Sequence, residues 1–508
     1  MTRRSQRSRE RRTVGGVRQL AWREVVNPMP PAEVLSADQV ETIHRTALRL
    51  LAEQGMRVLY DEARRIYREG GAEVDDATQM VRFDPALVEQ TIAMAPSQFT
   101  LRARNPAHDL QVGGHRILFN AIGGPAYVSD LDRGRRRGSY ADLCEYLKLI
   151  QSLNIIHQEG GGPFEPMDLP PETRHLDLHL AQIRYLDKNW QVYPLGRERT
   201  TDGIEMTCMA LQCDRDELAR RPAALGIINT NSPMQFDIPM AEATIELASA
   251  GQVACVTPFT LSGAMAPATI AGTLMQMTAE VLAVVVLTQL VRPGAPVMFG
   301  SFASNVDMRS GAPAFGTPEY TKGVQASAQL ARRYRLPFRC SNTTASNAVD
   351  AQSTYESMMS LWACVTAHTN LVNHAAGWLE GGLTASYEKL IVDAEMLQMM
   401  AEYVLPIAVN EDTLGLDAIA GVGPGGHFFG SAHTLARYET AFYSPMLSDW
   451  RNFERWQEAG AVDATRRANE VWKKLLEEYQ QPPLDPAVDE ALVAYVARRK
   501  EYLGSLQT

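Results

Sequence analysis

Cysteine is scarce in this chain. Six are scattered through 508 residues (Cys144, Cys208, Cys213, Cys255, Cys340 and Cys364), with no C-x-x-C pair. That excludes a disulfide framework, argues against a zinc–thiolate centre and fits reduced thiols in the cytoplasm. Long apolar runs are lacking too. The most apolar stretch, Val281–Val291, is too short to cross a bilayer and follows Glu280. The Arg-rich start runs into no apolar segment, so no signal peptide is read. No G-x-G-x-x-G follows a first strand, which argues against a dinucleotide fold. A Walker loop and a G-x-S-x-G elbow are also missing. These absences describe a soluble cytoplasmic protein with no membrane partner.

Charge is distributed unevenly. Residues 1–18 hold seven arginines and one glutamate, a net of +6. Set against the net charge of −10, this leaves −16 on the remainder. An acidic body argues against a nucleic-acid enzyme. The basic arm reads as a disordered tail, with RNA, anionic lipid or an acidic protein as the alternative contacts.

Residues 1–30 are read as this arm and a rigid linker, Asn27-Pro-Met-Pro-Pro31 marking its end. Residues 31–114 form an N-terminal cap region, opened by a capping box at Ser36 and Gln39 before a helix with Ile43, Ala47, Leu50 and Leu51 on one face. From about residue 115 short β-rich runs alternate with helical stretches. Eight strands are expected: Arg116–Asn120, Asn154–Gln158, Trp190–Pro194, Ala224–Asn229, Val253–Thr257, Pro296–Gly300, Pro337–Ser341 and Leu371–His374. The helices between them include Ser139–Ser152, Ala241–Ala250, Ala268–Leu290, Pro318–Arg333, Ala351–Asn370 and Ser386–Tyr403. Two carry start signals, Ser139 with Asp142 and Thr317 before Pro318. Strands alternating with helices imply a parallel sheet, and eight such units suit an α/β fold of the (β/α)8 TIM-barrel type over residues 115–420. A doubly wound open sheet is the alternative. Residues 421–508 read as a C-terminal helical extension, with helices at Asp449–Arg466, Ala468–Tyr479 and Asp485–Leu503. The segment from Trp450 to Trp456 is expected to pack back on the barrel.

In such a barrel the functional groups follow the strands. Those positions hold Asn120, Gln158, Glu159, Tyr193, Asn229 to Ser232 with Asn231 among them, Thr257, Phe259, Ser301, Phe302, Ser341 to Thr343, His374, Trp378 and Glu380. The set is rich in amides, hydroxyls and aromatics and poor in paired carboxylates, which weighs against glycosidase chemistry. His374 is either a core histidine or a ligand contact. His175 and His179 have helical i, i+4 spacing but no Glu or Cys companion, and with Arg174 and Asp177 beside them they read as surface residues of a polar helix. His427 and His433 are a weak pair in a loop. No metal site is expected.

Four stretches carry a family resemblance: Thr257–Gly272 (TPFTLSGAMAPATIAG), Asp307–Glu319 (DMRSGAPAFGTPE), Asp350-Ala-Gln352 before a helix, and Gly425–Gly430 (GGHFFG) with His433-Thr434. Together they resemble the trimethylamine methyltransferase family of corrinoid-dependent methyltransferases over roughly residues 30–500. The resemblance implies a (β/α)8 barrel that moves a methyl group from an amine to the Co(I) of a separate corrinoid protein. It implies no permanently bound cofactor; the corrinoid (cobalamin) comes with the partner. The trimethylamine enzymes carry pyrrolysine just before the Asp-Ala-Gln motif. Here the segment is Thr344-Ala-Ser-Asn-Ala-Val-Asp350 and the equivalent position falls near Ala348. The chain is therefore similar to the non-pyrrolysine branch, which implies a quaternary amine of the glycine betaine type. On that reading Tyr193, Phe259, Phe302 and Trp378 hold the cation through aromatic faces. Gln158, Glu159 and Asn231 line the mouth, and Arg309 or His374 meets a carboxylate. A homo-oligomer is expected. A non-catalytic betaine-binding or scaffold barrel, and an unrelated barrel lyase or hydrolase, are the rival readings.

Overall fold

A closed parallel barrel turns alternate side chains of each strand inward and outward, so a two-residue period sorts the sequence into two layers. The chain follows this rule in a computed structural model that describes residues 13–14 and 16–505. The barrel strands are β1 Arg116–Ala121, β2 Gln158–Glu159, β3 Asn189–Trp190, β4 Leu225–Ile228, β5 Val253–Val256, β6 Val297–Gly300, β7 Phe338–Ser341 and β8 Leu371–Ala376. All eight expected strands are present. They pair in the order β3-β2-β1-β8-β7-β6-β5-β4. A parallel bridge between Gln191 and Leu225 joins β3 to β4 and completes the ring, which excludes the open sheet.

The outer helices are α1 Tyr140–Ser152, α2 Arg174–Tyr185, α3 Arg197–Leu211, α4 Ile238–Ser249, α5 Ile270–Val291, α6 Pro318–Arg333, α7 Ala351–Thr366 and α8 Tyr387–Tyr403. Local signals set their starts. Ser139 and Asp142 form the capping box of α1, and Thr317 caps α6 with Pro318 at its first turn. Helix α7 stops short of the expected Asn370, because His368 takes a left-handed φ of 61°. Helix α5 is long and apolar enough to cross a membrane by length and composition. It is instead largely buried, wrapped by α4 and by the cap helices Ala37–Glu53 and Pro85–Ile92.

The floor of the barrel is sealed by a hairpin, Gln98–Leu101 with Leu110–Gly113. Leu101, Leu110 and Val112 form one apolar cluster with the inward-facing Leu118, Leu225, Val253, Cys255, Met298 and Leu371. The outward-facing neighbours Phe119, Ala254, Phe299, Phe338 and Val372 join the larger core beneath the helices.

Four peripheral expectations are corrected. The segment read as a linker is fastened down: Val25 pairs with Ile117 of β1, and Asn27 donates to the carbonyl of Val365. Most of the basic arm lies outside the described residues. Helix 449–466 does not form as one piece. Phe453–Glu458 ends at Gly460, whose φ is 96°, and Ala464–Glu477 restarts from an Asp463 cap. Trp450 stays exposed, and it is Trp472, on the face shared with Ala468 and Leu475, that packs against the barrel and donates to Glu388. His175 and His179 are not at the surface. The terminal helix Pro486–Ser505 covers α2 and α3, so that polar face is an interhelical seam. His175 meets Asp202 at 3.0 Å, and Asp202 also accepts from Tyr495. Between Val404 and Leu447 no residue is buried, and Ile407, Phe429 and Phe442 stand in solvent.

Candidate active site

Above the apolar floor the barrel interior changes character. Asn120 of β1, Gln158 of β2, Asn189 of β3, Gln191 directly after β3 and Asn373 of β8 face inward and bond to one another. Asn120 donates to Asn373 Oδ1 at 3.1 Å, and Gln191 donates to the same oxygen at 3.2 Å. Gln158 accepts from Asn120 and donates to Asn189, which donates to the carbonyl of Ala223 at 2.8 Å. A buried amide layer of this kind depends on its members being paired, and the ring of strands supplies partners for all of these side chains, leaving the Asn120 Oδ1 alone without one.

This layer underlies a cavity of about 420 Å³ that opens at the C-terminal rim of the strands. Size and place suit a small-molecule site. Its lining brings together seven of the residues picked from the sequence: Tyr193, Asn229, Thr257, Phe259, Phe302, His374 and Trp378. Phe259 and Phe302 have ring centroids 4.9 Å apart, and Trp378 lies 6.1 Å from Phe302. Phe315 backs both Phe302 and Trp378 edge-on. Trp378 is anchored through Nε1 to the carbonyl of Thr344 at 2.9 Å. Gly382, at φ +95°, lies beside this indole; a Cβ there would come within 2.6 Å of it. On the floor of the rim, Gly123 and Gly160 approach so closely that a Cβ on the first would sit 2.1 Å from the carbonyl of the second.

His374 reaches the cavity because β8 is irregular. Its register shifts between Val372 and Ala376, and His374 adopts φ 52°. Bulges re-aim side chains in this way near functional sites. The ring lies 4.6 Å from Trp378 and its Nδ1 is 3.2 Å from Ser341 Oγ. Burial, reinforced by the nearby Arg339 cation, holds its pKa well below the usual histidine value, so the ring is neutral. Tyr193 donates to Glu165 at 2.9 Å, and burial pushes its phenol up to about 12.

The other sequence-picked residues lie apart from the cavity. Gln158 is one layer down, reaching the lining only through Gln191. Glu159, next in the strand, faces outward by the two-residue period. It accepts from Gly161 and Gly162 backbone N–H groups and from Gln182 of α2. Burial raises its pKa to about 7. Asn231 is exposed and bonded to Asp237. Arg309 is exposed in a turn closed by Asp307, which accepts from the backbone and hydroxyl of Ser310. The extended strand Phe302–Val306, paired with Phe259–Ser262 above the rim, carries it away. Ala348 is exposed in the loop before α7, its backbone N–H bonded to Ser346.

The carboxylates near the mouth are all engaged in holding loops. Glu280 of α5 accepts from Ser232 Oγ at 2.7 Å and from the Met234 N–H at 2.9 Å. Glu356 of α7 accepts from the N–H groups of Ala345 and Ser346. Asp393 of α8 accepts from the Gly377 N–H at 2.8 Å and pairs with Lys389. None of these acids lines the cavity. The site can hold a small molecule by aromatic faces and amides, and among the described residues no carboxylic acid lines it. Among the described residues no group of three or more His, Cys, Asp and Glu is placed to hold a metal ion.

Sequence reasoning missed Arg339 in the lining. The available signal was a charged residue inside the otherwise uncharged strand Phe338–Ser341.

The family model described as trimethylamine methyltransferase (MTTB) matches residues 1–504. A glycine betaine methyltransferase of Desulfitobacterium hafniense (strain Y51) is 36% identical over 477 residues, covering 94% of this chain and 99% of that one. Trimethylamine methyltransferase MttB of Desulfitobacterium hafniense (strain DSM 10664 / DCB-2) is 31% identical, with 92% and 94% covered. Among solved structures, the Methanosarcina barkeri monomethylamine methyltransferase (MtmB) aligns with a TM-score of 0.46 at 10% identity, covering 90% of this chain and 96% of that one. The full-length family match and the two relatives above 30% identity show that the chain is a methyltransferase and belongs to the trimethylamine methyltransferase family.

Proposed function

We propose that this protein takes a methyl group from a quaternary amine of the betaine type and passes it to a corrinoid protein. The observation that carries this reading is the cavity itself: three aromatic faces, Phe259, Phe302 and Trp378, over a floor of amides, with every nearby carboxylate engaged elsewhere. Aromatic faces bind a quaternary ammonium electrostatically without needing a counter-charge.

The chemistry fits what the residues lack. When a quaternary ammonium loses a methyl group, the C–N electron pair stays on nitrogen and the leaving group is a neutral tertiary amine. No proton has to be delivered, and His374 is neutral and Tyr193 engaged with Glu165. A reduced Co(I) corrinoid, brought by a separate protein, supplies the electron pair that bonds the methyl carbon. The contribution of this chain is then to grip the ammonium and aim one methyl out through the rim, which is catalysis by proximity and orientation. The relative named for glycine betaine, and an ordinary alanine near the pyrrolysine-equivalent position, support the quaternary rather than the tertiary amine.

The test is methylation of a Co(I) corrinoid, followed by absorbance, with a panel of methylated amines. Betaine-type substrates are expected to react and trimethylamine to remain inert. Phe302→Ala should weaken ammonium binding by about 0.5–2 kcal/mol. Binding of betaines without any methyl transfer would instead favour a non-catalytic binding barrel.

A further inference from the structure

Arg339 lies within β7, two residues before the strand ends, and faces the barrel interior by the same alternation that turns Phe338 and Cys340 outward. It is 2% exposed. Neither Nε nor Nη1 has a hydrogen-bond partner, and among the described residues it joins no ion pair. A buried cation without a counter-charge is costly, and a guanidinium left with free donors is rarer still. The group nevertheless lines the cavity. Space has been left for it. Its neighbour across the β6–β7 pairing is Gly300, so no side chain from β6 competes for the interior at that level. Beside it, Asn373 has its carbonyl oxygen held by Asn120 and Gln191, which turns the amide N–H side away from those two donors.

We infer that Arg339 is the receptor for the carboxylate of the substrate. It makes this a site for zwitterions, with the anionic end seated deep in the barrel and the methylated ammonium held above it by the aromatic wall. The inference rests on the quaternary-amine reading and adds the end of the substrate that reading leaves open. The strand order sets the polarity. Arg339 lies inside a strand, whereas Phe259, Phe302 and Trp378 all follow strand ends and so stand nearer the rim. A guanidinium offers a planar fork that matches a carboxylate with two parallel N–H···O bonds. A free cation such as choline would meet the same guanidinium as a repulsive charge. Discrimination against it therefore comes from repulsion as well as from a lost bond. The carboxylate-binding role falls to Arg339, buried at the floor, rather than to Arg309, exposed beyond the rim.

The test compares three ligands of similar size on the full-length protein by titration calorimetry: glycine betaine, choline, and 3,3-dimethylbutanoate, in which carbon replaces the ammonium nitrogen. Wild-type protein is expected to bind betaine about 100-fold or more tightly than choline. In Arg339→Met, betaine and 3,3-dimethylbutanoate should each weaken by about 100-fold, while choline binds as well as before or better. A merely structural role for Arg339 would weaken all three together, and an unchanged betaine-to-choline ratio in the variant would overturn the inference. If wild-type protein binds 3,3-dimethylbutanoate as tightly as betaine, the carboxylate receptor stands and the quaternary-amine reading falls. If it binds neither carboxylate, the inference itself falls. Arg339→Gln, which keeps polar bulk without charge, reads the same ratio should the methionine variant not fold.

Discussion

Below the level of Cys255 the barrel interior is filled by Leu118, Leu225, Met298 and Leu371 and sealed by the hairpin's Leu101 and Leu110. Above it the barrel turns inward Asn120, Gln158, Asn189, Gln191, Arg339 and Asn373. Few residues of rise separate the two layers, yet they answer to different demands. The lower layer gains stability by removing apolar surface from water. The upper layer gives some of that up, since each amide must be paired and Arg339 is not. The difference teaches that stability and recognition are stacked along one axis: the floor holds the barrel shut so that the rim can carry a strained, ligand-seeking surface.

The sharpest test of this division is in the lower layer. Met298→Ala should destabilise the fold by about 2–5 kcal/mol, the usual range for truncating a fully buried side chain, while betaine affinity stays within about twofold. Denaturant unfolding and calorimetry on one preparation check both halves of the statement. The opposite sign is expected one layer up. Arg339→Met should raise the stability of the ligand-free protein by about 1–4 kcal/mol, because it replaces an unpaired buried cation by an apolar chain of similar length. A lower melting temperature for this variant would break the comparison. Next come the carboxylates that fasten the rim. Glu280→Gln puts an N–H where Ser232 or Met234 now donates, and should cost about 1–3 kcal/mol. Faster hydrogen exchange confined to residues 230–236 would locate the loss in that loop. The smallest effect concerns pH. His374 is held neutral by burial and by Arg339, its pKa well below 6.5. It therefore gains no proton as pH falls from 8 to 6, whereas Glu159, raised to about 7, takes one up in that range. In Glu159→Gln betaine affinity should be flat from pH 8 to 6, and a binding transition that survives in that variant with a midpoint near the ordinary histidine value would show that the ring is not held as described.

The barrel was legible because its signals are local. Eight short β-rich runs and the Ser139 and Thr317 caps depend on residues a few positions apart, and a strand formed at each run, although Gln158–Glu159 and Asn189–Trp190 overlap their expected spans by a single residue. The aromatic wall was legible for a related reason. Phe259, Phe302 and Trp378 follow strands, and in a barrel the position after a strand is the rim.

Other features depended on partners distant in sequence. Alternation told Gln158 from Glu159 only once the register with β1 and β3 was known, since a shift of one residue exchanges the faces. His175 and His179 looked like a polar surface until a helix from the far end of the chain lay across them. Arg309 follows a strand like its neighbours, but that strand continues beyond the rim and takes it away. The irregularity that swings His374 into the cavity is a property of the β1–β8 pairing and of neither strand alone. By itself the sequence determined the repeating units, their caps and the residue types offered at the rim, because those follow from backbone periodicity and short-range hydrogen bonding. Only the tertiary structure decided that Arg339 would be buried in the cavity with no counter-charge, because a buried charge finds or lacks its partner through the closure of eight strands.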